Sequence, residues 1–460
     1  MALPELIEIL PPVKPVSACV TIPGSKSITN RALVLAAISR APVTLMGALW
    51  SEDTQVMVEC LKKLGFEVIV KQDPGEDSNR IISVRGAGGR IPNSGTREQP
   101  LDLFVGNAGT AARFLAALVC LGHGYFRLHG VPRMHERPQE DLFHSLRELG
   151  YEILTPNDRL PAIIRGKGPK AAASSVSIKS SSQFASALLL CSKVGKWEIR
   201  VTGENAEESP YVAMTVKLME AFPGMGGMFM IEPDSSSGSY FKAAGWMLLQ
   251  HHGKTGADGT NTARNLVEVQ HWPTSSWQID SAFPSFLPLP AKISRLTDLG
   301  DSIMTAMIIA ADAVSSSQSA KPVTDIELLQ VLEKASDFRS INFTDLGRLR
   351  VQECERVEAM RTELAKCGAA IMETGQTLMI VPSDLRGAEI ETYNDHRMAM
   401  CFATLGLCIP GIRIRNPACV KKTFPNFFQK LAAPAPVGLG IEILDAKTGQ
   451  RLGDSELFAD

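Results

Sequence analysis

The sequence predicts an α/β protein built from internal repeats, on three observations. Short amphipathic helical ends recur, each closed by a glycine and followed by a strand-like run. Hydrophobic residues make up 45% and charged residues 21% of 460 positions, which allows a sizeable core. Several apolar helices open on small polar turns that also carry Lys or Arg.

The repeat is read from four stretches: "CLKKLGFEVIV" (60–70), "SLRELGYEIL" (145–154), "KLMEAFPGMGGMFMI" (217–231) and "ELAKCGAAIM" (363–372). A glycine after a helix supplies the left-handed residue that ends it. The apolar run behind it reads as a buried strand. The marker glycines Gly65, Gly150, Gly224 and Gly368 lie 85, 74 and 144 residues apart, the last spacing about double the others. One unit is therefore expected to be truncated between about 240 and 310. There "HHGKTGADGTNTARN" (251–265) and "SAFPSFLPLPAKIS" (281–294) read as loops.

The formal net charge of -2 argues against nucleic acid or an anionic membrane as the main partner. None of the nine cysteines forms a Cys-x-x-Cys pair, so buried thiols in a reducing compartment are expected, with no metal site. The opening "MALPELIEILPPVKP" has no basic segment before its apolar residues, and no apolar run reaches membrane-span length. A cytoplasmic protein acting on small molecules is expected.

Any anion site must then be a local cluster. "PGSKSITNRALVLAAIS" (23–39) lacks both glycines of an ATP-binding P-loop, since Ser25 precedes Lys26 and Val20 stands five residues before Ser25. Ser25 or Ser27 could cap the helix, but a cap does not explain Lys26, Asn30 and Arg31. Cations at a helix start are unfavourable unless an anion sits between them. "LFVGNAGTAARFLAAL" (103–118) offers Asn107, Gly109 and Thr110 before an apolar helix, with Arg113 one turn inside. "GVPRMHERPQEDL" (130–142) is a rigid loop with Arg133 and Arg137, and "KSSSQFASALLL" (179–190) sets Ser181, Ser182 and Gln183 at another helix start. "ETYNDHRMAMCFATLGL" (391–407) puts Asp395, His396 and Arg397 on an otherwise apolar helix. Glu353 and Arg356 share a helix face by spacing, and Asp301 reads as the N-cap of "DSIMTAMIIAADA". Lys421 and Lys422 precede a further helix. Each has a bland alternative as a cap, a surface ion pair or a solvated loop. Their conjunction suits a substrate with phosphate and carboxylate groups, transformed by acid–base chemistry.

"PGSKSITNRAL", "LFVGNAGTAARFL", "PRMHERP", "SSQF", "NDHRMAMCF" and "KTFPNFF" together resemble the 5-enolpyruvylshikimate-3-phosphate synthase family of enolpyruvyl transferases. The wording is most similar to the version within the fungal five-enzyme polypeptide. The resemblance runs in order along nearly the whole chain. It implies a two-domain inside-out α/β fold, with residues 25–234 as one domain and 1–24 with 235–460 as the other. It places the active site in the cleft between them and requires no cofactor. It implies transfer of enolpyruvyl from phosphoenolpyruvate to the 5-hydroxyl of shikimate 3-phosphate or a relative.

By motif, Lys26, Asn107, Gly109, Thr110, Arg137, Gln183, Arg356, Arg397 and Lys422 resemble the phosphoenolpyruvate site. Asp301 and Glu353 resemble the proton-transfer carboxylates, with Lys26 and His396 also catalytic. Ser27, Arg31, Ser181, Ser182, Gln183, Tyr211 and Asp301 resemble the acceptor site, which also takes in positions 348 and 352. Departures cluster on that side. Arg348 and Gln352 stand where the family pattern has Asn and Lys, and Glu208 where it has a phosphate-binding Ser. These departures leave two alternatives open: a paralogue recruited to a different acceptor or reaction, and a non-catalytic binding protein.

Overall fold

The computed structural model describes residues 3–203, 209–252, 266–315 and 340–459. The chain forms two compact units, Pro23–Pro233 and Met1–Ile22 joined with Asp234–Asp460. Strands β1 (Leu6–Ile9) and β2 (Ser17–Val20) open the chain and belong to the second of these.

In Pro23–Pro233 the elements run α1 (Lys26–Ile38), β3 (Val43–Leu49), α2 (Glu52–Lys63), β4 (Val68–Gln72) and β5 (Asn79–Val84). Next come β6 (Leu101–Phe104), α3 (Gly109–Val119), β7 (His123–His129), α4 (Pro132–Glu136), α5 (Glu140–Glu148), β8 (Glu152–Leu154) and β9 (Ala162–Lys167). Then follow β10 (Ala172–Ser177), α6 (Ser182–Gly195), β11 (Trp197–Thr202), α7 (Pro210–Ala221) and β12 (Gly227–Met230). Two sheets share one pattern, β12-β3-β5-β4 and β6-β7-β9-β8. In each, a parallel pair is extended by an antiparallel hairpin. The third sheet is only the parallel pair β10-β11.

The other unit continues with α8 (Ser235–His252), β13 (Leu266–Val269), β14 (Lys292–Ser294), α9 (Ile303–Ala311), β15 (Ile341–Thr344), α10 (Arg356–Lys366), β16 (Ala370–Thr374) and β17 (Thr377–Val381). It ends with β18 (Glu389–Ile390), α11 (His396–Gly406), β19 (Arg413–Arg415), α12 (Phe427–Ala432) and β20 (Ile443–Asp445). The same pattern returns in β14-β15-β17-β16 and β18-β19-β1-β20, while β13 and β2 pair alone. Each unit thus has three sheets, one of them reduced to its parallel pair among the described residues. The sequence reading located one shortened unit; among the described residues two sheets are reduced to a pair.

In each unit three apolar helices pack on one another, α1 with α3 and α6, and α8 with α9 and α11. Every residue of α3, α9 and α11 is buried. A helix apolar on all sides must lie inside, so the helices form the core and the sheets enclose them.

Gly65, Gly150 and Gly368 take φ of +88°, +91° and +92°, as the helix-ending role demands. Gly224 does not: α7 gives way at Phe222 before Pro223, and the left-handed residues are Gly226 and Gly227. The 281–294 stretch, expected as loop, holds a 3-10 helix at Ile279–Phe286 and strand β14. The expected loop at 253–265 and Glu208 lie outside the described residues. Among the described residues no helix is long and apolar enough to cross a membrane.

Candidate active site

The candidate residues gather at the N-termini of the central helices. In Pro23–Pro233, Lys26 opens α1 and pairs with Asp53 of α2 at 3.1 Å. Ser25 is the N-cap but its side chain makes no cap bond, so capping does not account for this stretch. Arg31 is buried, one turn further in. Its Nε donates to Thr215 Oγ1 at 2.8 Å, Nη2 to Ser186 Oγ at 2.9 Å and Nη1 to the Ser27 carbonyl at 2.8 Å. These three acceptors are neutral, and burial pulls the Arg31 pKa down to about 10. The group stays charged at neutral pH and ties α1 to α6 and α7.

Two guanidiniums flank the start of α3. A Cβ on Gly109 would lie 2.7 Å from Arg113 Nη1 and 2.8 Å from Arg137 Cζ, so only glycine admits both. Arg137 Nη1 donates to the Asn107 carbonyl at 3.1 Å. Arg113 Nη1 donates to Gln183 Oε1 at 2.7 Å, and Gln183 Nε2 donates to Thr110 Oγ1 at 3.2 Å. This chain locks the first turn of α3 to that of α6, whose N-cap Ser181 accepts from the Gln183 N–H. Ser182 is buried beside it, and Ser27 and Tyr211 are half-buried at the starts of α1 and α7. Backbone donors, helix dipoles and two guanidiniums converge here as an anion site requires.

The second group lies in the other unit, centred on Asp301. Its Oδ1 accepts from Arg295 Nη2 at 2.9 Å; Oδ2 lies 3.0 Å from Arg397 Nη2 and 3.6 Å from Arg356 Nη1. Burial alone would raise the Asp301 pKa, but Arg397, Arg356 and Arg295 outweigh it and hold the carboxyl well below the usual range. Asp301 is not the N-cap of α9; Ser302 is. Asp280, from the 3-10 helix Ile279–Phe286, instead fixes this turn. Its Oδ1 accepts from the N–H groups of Gly300 at 2.7 Å and Ser302 at 3.3 Å and from Ser302 Oγ, while Oδ2 accepts from Ser236 Oγ. Burial raises the Asp280 pKa against these hydroxyl bonds.

Glu353 and Arg356 do not share a helix face on the surface. Glu353 precedes α10, and the pair is largely buried. Glu353 joins Arg356 Nη2 at 3.0 Å to Lys422 Nζ at 2.9 Å. Arg356 also grips Asp395, the N-cap of α11. His396 is buried, with Nδ1 3.6 Å from Asp395. Arg397 Nη1 donates to Tyr240 OH at 3.4 Å. Gln352 is half-buried and its Oε1 accepts from Arg356 Nη1. Arg348 is half-buried on the preceding 3-10 helix, Leu346–Val351. Four cations (Arg295, Arg356, Arg397, Lys422) face Asp301, Glu353 and Asp395 in this network, and Arg397 also interacts with Asp234 and Asp280. The network is largely desolvated, so its charges are strongly coupled and a ligand oxyanion would compete with the carboxylates for the guanidiniums.

Sequence reasoning missed Arg295, Asp280 and Asp53. Nothing local marks Arg295 in "KISRLTDLGD"; its partner is visible only in three dimensions.

The fold is that of a repeat-built, inside-out α/β protein, with guanidiniums and, in one unit, buried carboxylates clustered at its helix starts. The family model for EPSP synthase (3-phosphoshikimate 1-carboxyvinyltransferase) matches residues 10–252 and 295–431, so 253–294, with the shortened stretch, falls outside it. A 3-phosphoshikimate 1-carboxyvinyltransferase of Trichormus variabilis is 34% identical over 442 residues, covering 91% of this chain and 96% of the relative. One of Shewanella sediminis is 35% identical over 458 residues, covering 93% and 99%. The chain belongs to the EPSP synthase family, a family of transferases. At the level of fold alone, it is similar to an EPSP synthase from Acinetobacter baumannii (TM-score 0.63, 20% identity, 95% and 99% of the two chains). It is likewise similar to the enolpyruvyl transferase NikO from Streptomyces tendae (TM-score 0.59, 13% identity, 98% and 100%).

Proposed function

We propose that this chain transfers the enolpyruvyl group of phosphoenolpyruvate to the 5-hydroxyl of shikimate 3-phosphate. The observation that carries the reading is the buried cluster of Arg295, Arg356, Arg397 and Lys422 around Asp301 and Glu353. Lys26, Arg137, Arg356, Arg397 and Lys422 hold phosphoenolpyruvate, with Asn107, Gly109, Thr110 and Gln183. Ser27, Arg31, Ser181, Ser182, Gln183, Tyr211 and Arg348 serve the acceptor.

The acceptor oxygen bonds to C2 and gives up its proton, while C3 takes a proton. The tetrahedral adduct then expels phosphate and returns a proton from C3, leaving the enol ether. Asp301 and Glu353 carry these protons, with Lys26 and His396 beside the reacting groups. An incoming phosphate competes for Arg397 and Arg356, which returns Asp301 Oδ2 to the acceptor hydroxyl. The chemistry needs no metal or other cofactor. We place it in the cytoplasm, on small molecules and not on nucleic acid.

The test is phosphate release from phosphoenolpyruvate with and without shikimate 3-phosphate. Release that requires both, at roughly 1–1000 per second, is the expected result. No acceptor-dependent release overturns the reading. One observation favours a second reading, a different acceptor: position 352 carries no cation, and the Gln352 amide oxygen is spent on Arg356. Release with a related alcohol but not with shikimate 3-phosphate would select it.

A further inference from the structure

We infer that Arg295 is a specificity-determining residue that binds an anionic group of the acceptor, supplying from a neighbouring turn the positive charge that position 352 lacks. The inference rests on the reading of the acceptor given above.

Strands β14 and β15 are parallel neighbours whose last aligned pair is Ser294 and Thr344. The chain leaving β14 therefore emerges beside the chain leaving β15. The first delivers Arg295; the second delivers Arg348, Gln352 and Glu353. The two exits are tied together, since the Arg295 N–H donates to the Thr344 carbonyl at 3.0 Å and Ser294 Oγ donates to Asp345 Oδ2 at 2.6 Å. The C-terminal ends of adjacent parallel strands are where α/β proteins place ligand-binding side chains. A cation on either exit can reach the same anion.

The turn that carries Arg295 is stiff. The Ser294 N–H donates to Asp298 Oδ2 at 2.8 Å, and the Asp298 and Leu299 N–H groups return to the Ser294 carbonyl at 3.0 and 3.2 Å. The Leu296 N–H donates to Ser294 Oγ at 3.1 Å. The guanidinium is held in one place before any ligand arrives, which lowers the entropic cost of binding.

Asp301 alone does not account for Arg295. That carboxylate engages only Nη2 of Arg295, at 2.9 Å. Arg295 is 8% exposed, and its Nε is buried with no hydrogen-bond partner among the described residues. A buried charged donor left unmade is costly, and an oxyanion in reach of Nε and Nη would satisfy it.

The test uses the full chain and reads the two substrates separately, by KM and by calorimetric binding of shikimate 3-phosphate. Arg295→Gln is expected to weaken shikimate 3-phosphate about tenfold and to leave the KM for phosphoenolpyruvate within about threefold, below half a decade. Adding Gln352→Lys to Arg295→Gln should recover most of the loss, because the charge returns from the adjacent exit. Equal losses for both substrates, no loss, or no recovery would overturn the inference. Should Arg295→Gln fail to fold, Arg295→Lys decides. It keeps the charge but not the fork, so shikimate 3-phosphate must still weaken selectively, and unchanged affinity overturns the inference. Wild type that neither binds nor turns over shikimate 3-phosphate removes the acceptor reading and this inference with it. Wild type that binds it while Arg295→Gln binds it equally removes this inference alone.

Discussion

Arg356 holds Asp395 by two roughly parallel hydrogen bonds, Nε to Oδ2 at 2.7 Å and Nη2 to Oδ1 at 3.2 Å, and both side chains are buried. The pair fastens the start of α10 to the start of α11 and so places Arg397 and His396. Removing one partner leaves a buried charge without compensation. Arg356→Ala is expected to destabilise the protein by about 3–5 kcal/mol, read as a lower denaturation midpoint. A midpoint equal to wild type would mean that the pair contributes nothing to the junction.

Gly109 sits where two guanidiniums come closest to the start of α3. The methyl of Gly109→Ala would meet Arg113 and Arg137 at under 3 Å, and one of them must move. We expect the KM for phosphoenolpyruvate to rise about tenfold, or ~1.4 kcal/mol, with little change in thermal stability. Steady-state kinetics with phosphoenolpyruvate varied decide it. An unchanged KM would separate this helix start from phosphate binding.

Asp280 holds the turn on both sides of Asp301 through the Gly300 and Ser302 N–H groups. Asp280→Ala strands those buried donors, at about 1–3 kcal/mol each, and lets Asp301 drift. Its kcat should fall at least tenfold, or ~1.4 kcal/mol in barrier. Asp280→Asn keeps one oxygen on the Gly300 N–H and should lose far less. Similar kcat for the two variants would show that the hydrogen bond does not position Asp301.

Asp301 should also mark the acid limb of stability. Its folded pKa is depressed below the unfolded value, so its ionised form stabilises the fold above an unfolded carboxyl pKa of about 3.9 and that contribution fades as pH falls toward the folded pKa. The stability gap between wild type and Asp301→Asn should be flat from about pH 8 to pH 5 and should shrink below about pH 4. Denaturant unfolding across that range measures it. A gap that widens on acidification would contradict the depressed pKa.

The local grammar of this protein is written in its sequence. Gly65, Gly150 and Gly368 announce helix ends because only a residue without Cβ takes φ near +90° cheaply. Uniformly apolar runs such as 303–311 announce central helices because no face of them can meet water. The motif residues at the helix starts are legible for the same reason, since capping and charge at a first turn depend on neighbours in the chain. Gly224 misled because the neighbouring Pro223 ended the helix first and moved the left-handed turn to Gly226.

The partners of Asp301 were not legible. Arg295, Arg356 and Arg397 come from three separate segments and meet only because α9, α10 and α11 pack together behind the exits of β14 and β15. A charge read in sequence has no distance to any other charge far along the chain. Coulomb energy and desolvation depend on that distance and on burial, and both are set by packing. So the sequence determined the repeat, the family and the helix starts. The tertiary structure alone decided that Asp301 is held by three arginines, that Asp280 anchors its turn, and that Gln352 spends its carbonyl on Arg356.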